Sequence, residues 1–152
     1  MQLKNLTVAT SEKIKVDKRL VHSLVSKLSK GLNFKVDSLD INFVDAEYLL
    51  EINKKYLNHN YHTDIITFNY SGSNELLEGE IFISVSEAIA NAIRYDVHLD
   101  SEIVRLIIHG ILHLIGYDDM TPAAKRKMKA VENKLTEQFE NNFKNILKEY
   151  DY

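Results

Sequence analysis

His109-Gly110-Ile111-Leu112-His113-Leu114-Ile115-Gly116-Tyr117-Asp118-Asp119 sets two imidazoles four residues apart within an apolar run. Four residues turn an α-helix through about 400°, so the rings lie about 40° apart on one face, one turn above the other. At that spacing both rings can offer a nitrogen to one ion. Gly116 follows three residues after the second ring, where a glycine readily takes the left-handed conformation that ends a helix and turns the chain back. That reversal would carry an oxygen ligand, from either Asp118 or Asp119, toward the same ion. Two imidazoles and a carboxylate suit zinc, and three protein ligands leave a fourth position for solvent, the arrangement of a catalytic ion. A packing role alone accounts poorly for the pair, because each unpartnered buried imidazole would carry its own desolvation cost. The position after the first histidine holds the glutamate base in H-E-x-x-H metalloproteases. Here it is Gly110, which argues against a peptidase and leaves the glycine either to admit a close neighbour to the metal face or simply to pack.

Outward from this run, Ile103, Leu106, Ile107, Leu112 and Leu114 give residues 102–115 the apolar surface of a central, buried helix. Asp100 or Ser101 is placed to cap it, and Thr121-Pro122 opens a last long helix. Residues 3–8 and 39–44 alternate as half-buried strands, with a helix over 18–32 between them that Gly31 should end. Asp45 caps a helix through Tyr48, Leu49, Ile52 and Tyr56, and the polar segment 57–62 reads as loop. Strands over 65–68 and 80–85 flank a turn at Gly72-Ser73-Asn74, and a helix begins at Ser86 and runs to Tyr95. The expected fold is one α/β domain, a small mixed four-stranded sheet with surrounding helices. Residues beyond about 138, including Glu140-Asn141-Asn142-Phe143-Lys144, are expected to be a frayed extension.

A chain of 152 residues, 45% hydrophobic, can bury one sizeable core and makes a single domain the natural expectation. No stretch approaches the ~18–20 apolar residues of a membrane span, and Met1-Gln2-Leu3-Lys4-Asn5-Leu6 lacks the apolar block of a signal peptide, so a cytoplasmic location is expected. The absence of cysteine excludes disulfides and zinc–thiolate sites, which leaves any metal to His, Asp and Glu. A net charge of −3 gives no global attraction to a phosphate backbone, so nucleic-acid binding has to be local. The densest basic run is Lys125-Arg126-Lys127-Met128-Lys129, with Lys54-Lys55 a smaller pair. Such runs are either solvated helix faces or phosphate contacts.

Residues 109–118 resemble the signature HGxLHLxGYDH of the YbeY endoribonucleases, small bacterial metalloproteins of ribosomal RNA maturation and ribosome quality control. The signature's last histidine is replaced by Asp119, itself an accepted zinc ligand. Asn53-Lys54-Lys55-Tyr56 and Thr63-Asp64-Ile65-Ile66-Thr67-Phe68 resemble the family's NxxYRxKDxPTDVLSF, and Gly79-Glu80-Ile81 its GDI. Met128 and Glu132 fall where the family's last helix often has Met and Glu, so the resemblance covers about residues 40–135. It implies a zincin-like metal helix, one zinc ion held by His109, His113 and Asp119, and a single-strand-specific endoribonuclease acting at the 3′ end of small-subunit ribosomal RNA. The implied partners are single-stranded RNA, ribosomal RNA and the ribosome, with no DNA and no membrane.

The departures from the family pattern lie in one loop. Leu57 stands at the arginine position, His59 at the lysine, Asn60 at the following acid and His62 at the proline. An arginine offers a planar, permanently charged fork to phosphate, and leucine offers nothing equivalent, so cleavage is expected to be limited at this position. His59, Arg94 and Lys55 are the candidates to supply the missing charge, the first two as candidate catalytic residues. Tyr61, Phe68 and Tyr70 either stack on unpaired bases or belong to the core. Zinc needs no glutamate to act on a phosphodiester, since it can polarise a phosphoryl oxygen and lower the pKa of water to ~7. The rival readings are a ribosome-assembly binding factor with a structural metal and little catalysis, favoured by Leu57, and a zincin-like peptide hydrolase, opposed by Gly110.

Overall fold

The computed structural model describes residues 3–150. The chain opens with β1 (Leu6–Thr10) and the short β2 (Ile14–Val16), then crosses through α1 (Lys18–Leu32) to the long strand β3 (Lys35–Val44). Parallel pairing of β1 with β3 requires such a crossover, and Val21, Leu24, Val25 and Leu28 bury one face of α1 in making it. Asp17 caps α1 by accepting from the Leu20 amide. The helix runs through Gly31, and Asn33 takes the left-handed terminal position at φ 58°.

After β3, α2 (Ala46–Leu57) leads through the loop to β4 (Ile65–Asn69) and β5 (Leu76–Ser84). β5 pairs parallel with β3 and antiparallel with β4, giving the one mixed four-stranded sheet expected from the sequence; its order is β1-β3-β5-β4. The helix α3 (Val85–Arg94) starts one residue earlier than Ser86, because Ser84 supplies the cap by accepting from the Glu87 amide.

The helix α4 (Leu99–Leu114) is entered from His98 and not from Asp100 or Ser101, whose side chains are engaged elsewhere. Asp100 accepts from the Asn145 amide at 2.9 Å and Ser101 donates to Glu140 at 2.7 Å. Those bonds tie α4 to the chain's end, which is not the frayed extension expected. After α5 (Pro122–Phe139), capped by Thr121, residues Phe139, Phe143 and Ile146 are buried, and β6 (Leu147–Tyr150) pairs antiparallel with β2. Three apolar anchors in a polar stretch are enough to hold the tail down. Among the described residues no helix is long and apolar enough to cross a membrane.

α4 is the central helix: ten of its residues are buried, from Glu102 to Leu114. It meets the sheet through Gly110, where an added Cβ would come within 2.9 Å of Ile81 and 3.2 Å of Ile65. Of the two readings of this glycine, the structure supports packing. The missing side chain seats the helix on β4 and β5 and so fixes the height of the histidine face above the sheet.

Candidate metal centre

On an otherwise apolar helix, Glu102, Arg105, His109 and His113 recur at intervals of three, four and four residues and form one polar stripe. That stripe faces α3 and α5. His109 and His113 bring their Nε2 atoms to 3.1 Å, with ring centroids 4.7 Å apart and planes at 73°. Two nitrogens at ~2.0–2.1 Å from a tetrahedral zinc ion stand about 3.3 Å apart, so the pair fits two zinc ligands. Burial first, and then His109, push the His113 ring below its ordinary pKa, against the opposing pull of Asp119, Asp118 and a hydrogen bond to the Tyr117 backbone. A neutral His113 keeps a lone pair for a cation.

The helix ends as its glycine implies. Gly116 sits at φ 106°, with its amide donating to the His113 carbonyl and the Tyr117 amide to that of Leu112. The reversal brings Asp119 to the cleft that His109 also lines, whereas Asp118 turns away to accept from the Met120 amide at 3.0 Å. Among the described residues, no three His, Asp or Glu side chains are close enough together to enclose an ion. The two histidines are assembled; the third candidate ligand, the Asp119 carboxylate, borders the same space as His109.

That space is a cleft of ≈ 560 Å³ between α3, α4 and α5. On α5, Lys125, Lys129 and Glu132 share one face at helical spacing, so part of the basic run seen in the sequence lines the cleft. Glu132 is the hub. It stands 2.5 Å from His109 Nδ1, 2.6 Å from Arg105 and 3.2 Å from Lys129, and Arg105 also donates to Asn133 at 2.7 Å. Burial alone would push its carboxyl up, but the hydrogen bonds from His109 and Arg105 hold it at about 2.

On the α3 side, Asn91 donates to Asp64 at 2.9 Å and to Glu102 at 3.1 Å. Burial pushes Glu102 above the usual carboxylate range, and Asp64 and Glu132 add to that against the Asn91 bond. Arg94 donates only to the Asn91 amide oxygen, at 3.3 Å, and lies over the Tyr95 ring. Among the described residues neither Arg94 nor Lys125 has a carboxylate partner, whereas Arg105 and Lys129 are both engaged by Glu132.

The candidates drawn from the loop fall elsewhere. His59 stacks on Tyr61 at 5.0 Å and, with Leu57, lines a separate groove of ≈ 250 Å³ that shares only Ile65 with the cleft. Lys55 lies over the Tyr56 ring. Tyr61 and Tyr70 are exposed, and Phe68 packs edge-on against Phe82 and Tyr56. Glu132, Arg105, Asn91 and Asp64 were given no role from the sequence, although the helical spacing of Arg105 with the histidines was there to be read.

The family model described as Endoribonuclease YbeY matches residues 4–140. A protein of that name from Bacteroides fragilis is 45% identical over 92 residues, 60% of this chain and 66% of that protein, just under two thirds of its length. One from Bacteroides thetaiotaomicron is 36% identical over 119 residues, covering 78% of this chain and 86% of its own. The solution structure of TM1509 from Thermotoga maritima is similar in fold, with a TM-score of 0.61 at 22% identity over 90% of this chain and 93% of that one. With the family model spanning nearly the whole chain and the HGxLHLxGYD run carried intact across the end of α4 and the turn that follows it, the chain belongs to the endoribonuclease YbeY family.

Proposed function

We propose that the protein is a zinc-dependent endoribonuclease of the cytoplasm that cuts single-stranded regions of ribosomal RNA, at the 3′ end of the small-subunit RNA, and serves ribosome quality control. The observation that carries this reading is the pair of Nε2 atoms 3.1 Å apart beside a cleft whose walls hold Arg94 and Lys125 without carboxylate partners. His109 and His113 hold the ion, and Asp119, the carboxylate that borders the cleft, completes the set. When bound, zinc supplies Lewis acidity toward the phosphodiester and activates water for the attack. Arg94 presents a guanidinium fork to the phosphate and takes the part that an arginine at position 57 would play, with Lys125 drawing the chain in from the opposite wall. The exposed Tyr61 and Tyr70 are available to stack on unpaired bases.

The test uses purified, zinc-loaded protein on a labelled fragment of the small-subunit RNA 3′ end, single-stranded or annealed to a complement, with labelled casein alongside. Cleavage of the single strand only is the expected result. Cleavage of casein, or of none of the three, would overturn it, and the last outcome combined with ribosome binding that survives Asp119→Ala would favour an assembly factor.

A further inference from the structure

Glu132 is buried, 3% exposed, and lies on α5 with both oxygens occupied. Oε1 is 2.5 Å from His109 Nδ1, and Oε2 takes Arg105 at 2.6 Å and Lys129 at 3.2 Å. Arg105 is itself pinned to Asn133 at 2.7 Å, which fixes the guanidinium against the carboxylate. We propose that Glu132 is the positioning residue of the histidine pair, fixing His109 as the tautomer protonated on Nδ1, so that its Nε2 lone pair faces His113 and the cleft. This rests on the reading that the pair holds a metal ion.

A neutral imidazole carries its one proton on either nitrogen, and the tautomer is set by the partner of the nitrogen that does not ligate. A carboxylate can only accept, so at 2.5 Å it selects the proton on Nδ1 and leaves Nε2 free. Three donors converge on this side chain, and a carboxylate is the group that can satisfy all three. In Glu132→Gln the amide oxygen can face His109 only if the NH2 group faces Arg105 and Lys129, donor against donor; turned round, the NH2 group forces the proton of His109 onto Nε2. The chain's own geometry thus couples the charge pairing of α4 with α5 to the direction in which His109 offers its lone pair.

The deciding experiment is nitrogen NMR of the imidazoles in metal-free protein at mildly alkaline pH, together with zinc affinity by competition with a chromophoric chelator, for wild type, Glu132→Gln and a control on the exposed face of α5, Lys134→Ala. His109 is expected to be Nδ1-protonated in wild type and in Lys134→Ala, and to lose that preference in Glu132→Gln, whose zinc affinity should fall 10–100-fold. The wild-type spectrum needs no variant to fold. A His109 protonated on Nε2 in wild type, an unchanged tautomer in Glu132→Gln, or unchanged zinc affinity despite a changed tautomer would each overturn the proposal. If wild type binds no zinc at all, the metal reading fails, while the tautomer result still decides whether Glu132 positions the ring.

Discussion

The cleft between α4 and α5 and the groove beside residues 57–63 share Ile65 as a wall, yet they are built on opposite plans. In the cleft, every functional side chain on α4 and α5 projects from a helix, α4 seated on the sheet and α5 packed on α4, and the buried carboxylate Glu132 organises three cationic or proton-bearing neighbours. In the groove, His59 and Tyr61 stack on each other in an exposed loop, and the one hydrogen bond between them joins two side chains two residues apart. A site that must hold reacting groups to a fraction of an ångström is better served by the first plan. The loop is also where the chain departs from its family's pattern, and the cations that could replace an arginine at Leu57 stand on the cleft side, on α3 and α5.

The sharpest way to break this contrast is to remove one cation from each region. Arg94→Ala should slow cleavage by ~10²–10³, the usual cost of deleting one preorganised donor to developing charge, while His59→Ala should change it by less than about threefold. Single-turnover rates on the same RNA measure both. A reversal of the two effects would move the phosphate site into the loop.

Next in size is the seating of α4. Gly110→Ala puts a Cβ 2.9 Å from Ile81 and should cost ~1–3 kcal/mol by overpacking, read as a lowered denaturant midpoint with an unchanged slope. An unchanged midpoint would mean that the glycine is not what sets the helix on the sheet. Leu57→Arg restores the family residue but opens on the groove, so its gain in rate should stay below about tenfold. A gain of a hundredfold or more would show that the loop can carry the charge after all.

The smallest effect concerns Glu102. Its carboxyl is raised in the folded protein, so the unfolded chain ionises first as pH rises, and the stability it contributes below the ordinary carboxylate range is lost above it. Glu102→Gln should therefore melt higher than wild type near pH 7, and the difference should shrink toward pH 4. Thermal melts at the two values decide the sign.

What could be read from the sequence was what is local. The histidine pair, Gly116 and the neighbouring aspartates lie within one helix and its terminus, so spacing alone brings them together, and Ile65, Ile81 and the alternating strands gave the sheet its members. Glu132 reaches His109 across 23 residues and Asn91 reaches Asp64 across 27, through helix crossings that no periodicity encodes. β2 and β6, with three and four residues, are too short to show alternation, and the tail's anchors Phe143 and Ile146 are isolated in polar sequence. Family resemblance pointed to Asp119 over Asp118. In the structure Asp118 is used by its own turn, a difference of one hydrogen bond that spacing could not resolve.

The central claim is that the His109 and His113 pair is a metal centre that cuts RNA, and zinc content and cleavage measured in one preparation, wild type against His113→Ala, test it most directly. The account predicts one zinc per wild-type chain with cleavage that a chelator abolishes and zinc restores, and a folded His113→Ala protein with neither bound zinc nor activity. Full cleavage by His113→Ala, or zinc bound equally by both proteins, would contradict it.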